Sequence, residues 1–154
     1  MTTIDERDAF HLAGEARMRA FSYERPATDN VKTIAWLLKD PQFTVAVQIV
    51  KDGGENNLHY HTNASQVYFV IAGQVRFNGV DDSVISELGP QQGIFIPAGA
   101  RYWFEKTGSE DLQMLQIVAR SGGKSERLDI QPKKEWMDGR VLGPNLEASE
   151  VESL

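Results

Sequence analysis

The chain has 154 residues, enough for one domain at roughly 150 residues per domain, and its 41% hydrophobic share is that of an ordinary globular protein. Sixteen Lys and Arg against 22 Asp and Glu leave a net charge of −6, the wrong sign for a surface that neutralises phosphates, so nucleic acid is not an expected partner. There is no cysteine, which removes disulfides, thiolate nucleophiles, zinc fingers and iron–sulfur clusters, so any metal must rest on nitrogen and oxygen ligands.

The first residues, Met-Thr-Thr-Ile-Asp-Glu-Arg-Asp, carry charge where a signal peptide needs an apolar run, and a cytoplasmic location is expected. No window approaches the ~20 apolar residues of a spanning helix, so no membrane partner is expected. Residues 1–30 read as an N-terminal arm or short helix: 5–21 is rich in Ala, Arg, Glu and Met, with Phe10, Met18 and Phe21 as apolar anchors. Pro26 ends that stretch, because proline excludes the helical conformation for the residue before it.

From there the pattern is that of strands. Residues 33–38 and 43–50 are β-branched and aromatic, and the second run puts Val45, Val47 and Ile49 on one face and Gln48 on the other. Further strands are predicted over 66–72, 74–77, 84–88, 93–96, 102–105 and 112–118. Gly, Pro or Asn punctuates most of the gaps, as in Asn78-Gly79, Gly89-Pro90 and Pro97-Ala98-Gly99. Some eight short strands without a long helical pattern describe an antiparallel sandwich or barrel, placed at 31–121. Residues 122–154 form a polar C-terminal extension in which Trp136 needs cover, so it is expected to pack on the barrel or on a partner subunit.

His59 and His61 flank Tyr60. In a strand, i and i+2 share a face, so both imidazoles would converge, half of a typical metal site. Alternatively, the pair falls at this spacing on an exposed hairpin and is stacked or hydrogen-bonded without a metal. Gly53 stands six positions before His59, Gln66 five after His61, and Gly73 seven after Gln66. This resembles the first sequence motif of the cupin superfamily, in which the position of Gln66 is held by Glu. Ile94-Phe95-Ile96-Pro97-Ala98-Gly99 resembles the second, with its Pro and Gly in place at Pro97 and Gly99. The second motif's first Gly falls on Gln91, its His on Tyr102 and its Asn on Lys106.

The resemblance covers most of residues 31–119 and implies an all-β fold, a jelly-roll barrel with metal and substrate inside one open end. Carried over position by position, the implied metal ligands are His59, His61, Gln66 and Tyr102, two of them substituted. Gln66 brings a carbonyl oxygen without a charge. Tyr102 ligates strongly only as a phenolate, and is otherwise a hydrogen-bonder. Such a set suits Fe, Mn, Ni, Cu or Zn rather than Mg or Ca. In a second reading the barrel has shed its metal, and His59 and His61 are polar groups of an organic-ligand pocket.

Tyr102 is also the candidate catalytic group, as a phenol acting as base, or else it simply begins an aromatic strand with Trp103 and Phe104. Gln48 and Arg101 are candidate substrate-binding residues, Gln48 from within the lumen and Arg101 from a strand end, as the holder of an anionic group. The expectation is a metal-dependent enzyme acting on a small molecule, dioxygenase-like first, with isomerase, lyase or cyclase chemistry close behind. The alternative is a non-catalytic small-ligand-binding module with a lost or weakened metal. Barrels of this family commonly pair, so a homodimer is expected.

Overall fold

A computed structural model describes residues 18–122 and 124–130. Ten strands run β1 (Lys32–Lys39), β2 (Phe43–Val50), β3 (His59–His61), β4 (Ala64–Ala72), β5 (Gln74–Asn78), β6 (Val84–Leu88), β7 (Gly93–Ile96), β8 (Trp103–Thr107), β9 (Leu112–Arg120) and β10 (Arg127–Asp129). The one 3-10 turn among the described residues, Val80–Asp82, joins β5 to β6. All pairings are antiparallel, as expected of strands joined by short turns.

The strands form two facing layers. One is a five-stranded sheet in the order β1-β2-β9-β4-β7; the other contains β6-β5-β8 and the pair β10-β3. A bridge between His59 and Tyr102, with backbone bonds of 3.0 and 3.1 Å in both directions, ties β3 to the start of β8 and makes the second layer continuous. This is the expected jelly roll. Alternation does the local work: on β9, Leu112, Met114, Gln116 and Val118 are buried and the residues between them are partly exposed.

The apolar core lies between the layers. Val50, Val70, Leu112 and Met114 from the five-stranded sheet meet Val75, Phe77 and Phe104 from the other. Tyr68 sits among them, its ring centroid 5.4 Å from Phe77 and 5.8 Å from Phe104. Gly73 makes the turn from β4 to β5 at φ +83°, and a Cβ there would come 2.7 Å from the Asp111 carbonyl oxygen, so only glycine fits.

The expected strands at 43–50, 84–88 and 93–96 are observed at those bounds, and the others extend by one or two residues. The expected strand at 102–105 begins instead at Trp103, because Tyr102 pairs only with His59. The sequence reading missed β10, which has three residues and becomes a strand only by pairing with β3. Of the expected N-terminal arm or helix, residues 18–30 are described and have no regular structure. They are fixed to the five-stranded sheet by Tyr23 Oη donating to Gln113 Oε1 (2.7 Å) and by the Arg25–Asp111 ion pair (2.6 Å). Met18 and Phe21, expected as packed anchors, are exposed. Phe10, Trp136 and most of the C-terminal extension lie outside the described residues.

Candidate functional site

At one end of the core the space between the layers turns polar and opens into a small cavity of about 20 Å³, room for little more than a water molecule. β3 supplies His59 and His61, and Tyr102 follows from the neighbouring bridge. Gln48 of β2, Gln116 of β9 and Tyr68 of β4 line the facing wall. Lys32 and Ile34 of β1, Asn56 and Arg127 of β10 complete the lining.

The spacing of the histidines works as the strand argument requires. His59 and His61 are buried on one face, with ring centroids 5.1 Å apart, while Tyr60 between them is half-buried. His59 Nδ1 lies 2.6 Å from the Asn57 carbonyl oxygen. A carbonyl only accepts, so Nδ1 carries the proton and Nε2 keeps its lone pair. Burial, reinforced by the charge of Arg127, pushes His59 well below the usual imidazole pKa. Burial with Arg127 and Arg120 lowers His61 to about 4. Both imidazoles are neutral near pH 7.

The facing wall is a directed chain of amides. Gln48 Nε2 donates to Gln116 Oε1 over 2.7 Å. Gln116 Nε2 donates in turn to Gln66 Oε1 (2.7 Å) and to Tyr68 Oη (3.0 Å). Gln66 Nε2 donates to Tyr102 Oη over 3.1 Å, and the two phenol oxygens of Tyr68 and Tyr102 share a further bond of 3.1 Å. Full burial and the adjacent Tyr102 raise the Tyr68 pKa well above that of a free phenol, so this phenol stays protonated. At the chain's far end Gln48 Oε1 is buried and meets no hydrogen-bond donor among the described residues.

Of the expected site residues, the structure brings Gln48, His59, His61 and Tyr102 into the cavity lining. Gln66 is buried but does not line it; both ends of its amide are taken by Gln116 and Tyr102. Arg101, expected to hold an anionic group, is exposed instead: its guanidinium lies 4.4 Å over the Tyr60 ring and donates to the Gly99 carbonyl oxygen over 2.9 Å. Lys106, where the family motif has Asn, buries its side chain and reaches Asp52 Oδ1 and the Gly108 carbonyl oxygen, both at 2.8 Å.

The sequence reading missed Lys32, Asn56, Tyr68, Gln116 and Arg127 as site residues. Tyr68 and Gln116 carried a signal, being polar residues on the buried parity of strands β4 and β9. Arg127 carried none, since it depends on the pairing of β10.

These residues do not fit the metal centre that the family resemblance implies. Among the described residues no three His, Cys, Asp or Glu gather where they could hold an ion. Two imidazoles are present, but the position of the acidic ligand is a neutral amide tied off behind the wall. Lys32 and Arg127 add positive charge to a lining that contains no carboxylate. A divalent cation would therefore enter a site whose described lining offers two cationic side chains and no carboxylate.

A family profile described as "Cupin domain" matches residues 46–118. Solved structures agree on the fold. An uncharacterised protein with a double-stranded β-helix domain from Klebsiella pneumoniae is 20% identical, with 74% of this chain and 100% of that chain covered and a TM-score of 0.60. An RmlC-like cupin protein from Desulfovibrio desulfuricans is 17% identical, with 67% and 97% covered and a TM-score of 0.56. The Cnp3 cupin domain of Schizosaccharomyces pombe is 17% identical, with a TM-score of 0.52; the match covers 57% of this chain and 64% of that one. No functionally curated protein matches. Residues 46–118 are thus similar to a cupin domain, and the two-layer jelly roll is the fold that these solved structures share.

Proposed function

We propose that the open end of the barrel binds a small organic molecule through amide, phenol and imidazole groups, without a metal. One observation carries this reading: Gln66, at the position of the family's acidic ligand, is committed at both ends to Gln116 and Tyr102 and stands outside the cavity lining. The chain of amides and phenols that it belongs to presents hydrogen-bonding groups in fixed directions, which is how a pocket selects a polar molecule. Tyr102, held between Gln66 and Tyr68, serves here as a ligand hydrogen-bonder. The test is a thermal-shift panel of small hydroxylated compounds against protein stripped with a chelator. Stabilisation that survives stripping supports the reading, and stabilisation that appears only when metal is restored overturns it.

A second reading, a metal-dependent enzyme of dioxygenase or isomerase, lyase or cyclase type, is favoured by the histidines alone. The Asn57 carbonyl fixes the His59 tautomer with Nε2 unprotonated, and both imidazoles are neutral. Outer groups fix ligating histidines in the same way. In that case His59 and His61 would hold an Fe, Mn, Ni, Cu or Zn ion, and Tyr102 would be the acid or base beside it. Oxygen uptake with candidate substrates separates the dioxygenase form from the others.

A further inference from the structure

A cavity of about 20 Å³ has room for little more than a water, whereas pockets that take an organic molecule run to ~300–1,000 Å³. A ligand therefore enters only if part of the lining moves aside. Most of the lining is held fast. Gln48 lies on β2, Gln116 on β9 and Tyr68 on β4, and each of these strands is paired along both sides. β1 is an edge strand but pairs with β2 from end to end, and β3 is held by β10 on one side and by the His59–Tyr102 bridge on the other.

β10 is the exception. It has three residues, pairs on one side only among the described residues, and brings Arg127 into the cavity wall. Its hold on β3 goes through its backbone. Thr62 N donates to the Glu126 carbonyl oxygen and Glu126 N to Thr62 Oγ1, both over 3.0 Å, and Ile130 N donates to the Leu58 carbonyl oxygen over 2.9 Å. Among the described residues the side-chain bonds of 124–130 stay within the segment: Arg127 Nη2 donates to Asp129 Oδ1 over 3.0 Å, so this ion pair travels with the strand and does not tie it down. Leu128 is 37% exposed and adds little apolar burial. Just before the segment the chain is fixed, with Ser121 Oγ donating to Asn63 Oδ1 over 2.7 Å and Asn63 Nδ2 to the Gly122 carbonyl oxygen. Gly122 itself stands at φ +90°, a region glycine enters without strain, which suits a hinge.

Resting on the reading of the cavity as a ligand site, we infer that residues 124–130 form a displaceable strap, hinged at Gly122, whose release from β3 widens the cavity and admits the ligand. Release withdraws Arg127 from the wall and uncovers His59 and His61, which are 2% and 6% exposed while the strap is closed. A short strand with little buried apolar surface opens far more readily than the whole barrel unfolds. Gln48, Gln116 and Tyr68 keep their places on the paired strands, so the strap closes again over a preformed wall.

Diethyl pyrocarbonate tests this without a ligand, because it acylates unprotonated imidazole, the state of both histidines near neutral pH. The sequence has no cysteine, so Tyr60→Cys with Leu128→Cys gives a single strap lock, at positions that face each other across the β3–β10 ladder at the ~5 Å a disulfide spans. A control lock, Arg76→Cys with Glu87→Cys, joins β5 to β6. Mass spectrometry of the full chain treated at pH 7.5 should show His59 and His61 of the wild type acylated faster than the barrel unfolds, with unfolding followed by tryptophan fluorescence. The oxidised strap lock should react about tenfold more slowly or less, and the oxidised control within about twofold of the wild type. Thr62→Val removes the hydroxyl that accepts from Glu126 and should speed acylation about threefold or more; it needs no disulfide, so it tests the strap even where the lock does not form. Wild-type acylation no faster than unfolding, a strap lock as reactive as the wild type, equal slowing by both locks, or no effect of Thr62→Val overturns the strap. The ligand reading fails separately: if the acylation pattern holds but no compound of the thermal-shift panel stabilises the wild type, the strap stands and that reading falls.

Discussion

Gln116 Nε2 donates to Gln66 Oε1 over 2.7 Å, at the position where the cupin motif that this sequence resembles has a glutamate. That bond turns a would-be coordination site into part of a wall. Gln116 is its hub, accepting from Gln48 and donating to both Gln66 and Tyr68. Removing the hub with Gln116→Leu strands Gln48 Nε2 and Gln66 Oε1 in the interior, and the expected loss of stability is about 2–4 kcal/mol. Urea unfolding measures it; a loss within about 0.5 kcal/mol, the size of an ordinary surface substitution, would mean that the chain is not formed.

The same geometry bears on attempts to restore a metal site. In Gln66→Glu the new carboxylate still accepts from Gln116 and can take the hydroxyl hydrogen of Tyr102, so it remains tied behind the wall. Zinc or nickel affinity is expected to change less than tenfold. The double variant Gln66→Glu, Tyr102→His removes that phenol and brings a third imidazole beside His59, whose ring is 4.4 Å from that of Tyr102. Calorimetry should then show one tightly bound ion per chain. Tight binding by the single variant would contradict the assignment of Gln66.

Acid should weaken the fold through the histidines. Their folded pKa values lie below the unfolded reference of 6.5, so between the two the unfolded chain binds more protons and stability falls as pH falls. The His61 contribution is fully present above pH 6.5 and is lost on the way down to its folded value of about 4. At ~1.4 kcal/mol per pH unit for one proton, that amounts to about 3 kcal/mol, with His59 adding in the same direction. Urea midpoints between pH 7.5 and 4.5 should fall steadily, and more gently in His61→Gln. An unchanged or rising midpoint would contradict the neutral state of the pair.

On its outer face the five-stranded sheet shows Val67, Phe69 and Ile71 of β4 beside Phe95 of β7, the last 64% exposed. A contiguous apolar row on a sheet face suits a second copy of this chain, and a homodimer of 2 × 17.2 = 34.4 kDa is expected. Light scattering should give that mass for the wild type and half of it for Phe69→Arg, Phe95→Asp. A wild type at 17.2 kDa would contradict the expectation.

Much of the fold was legible because alternation is a strong local signal: Phe43-Thr-Val-Ala-Val-Gln-Ile-Val reads as β2 to the residue. The motif spacing likewise led to His59, His61 and Tyr102, and the parity of β2 led to Gln48 in the lumen. Arg101 misled because a strand end looks like a cavity rim in one dimension, while the chain turns it outward over Tyr60. Arg127 was invisible, since Arg-Leu-Asp has no periodicity and its place depends on partners some 66 positions away, at His61. The commitment of Gln66 to Gln116 was equally out of reach, because it joins two strands through side-chain ends that no spacing rule describes.

Equilibrium dialysis of the chelator-treated wild-type chain against zinc and nickel, with metal per chain read by elemental analysis beside His59→Ala and His61→Ala, tests the central claim most directly. The predicted result is substoichiometric metal at micromolar free ion, with no difference between the wild type and either variant. One ion per chain in the wild type, lost in both alanine variants, would contradict a metal-free cavity.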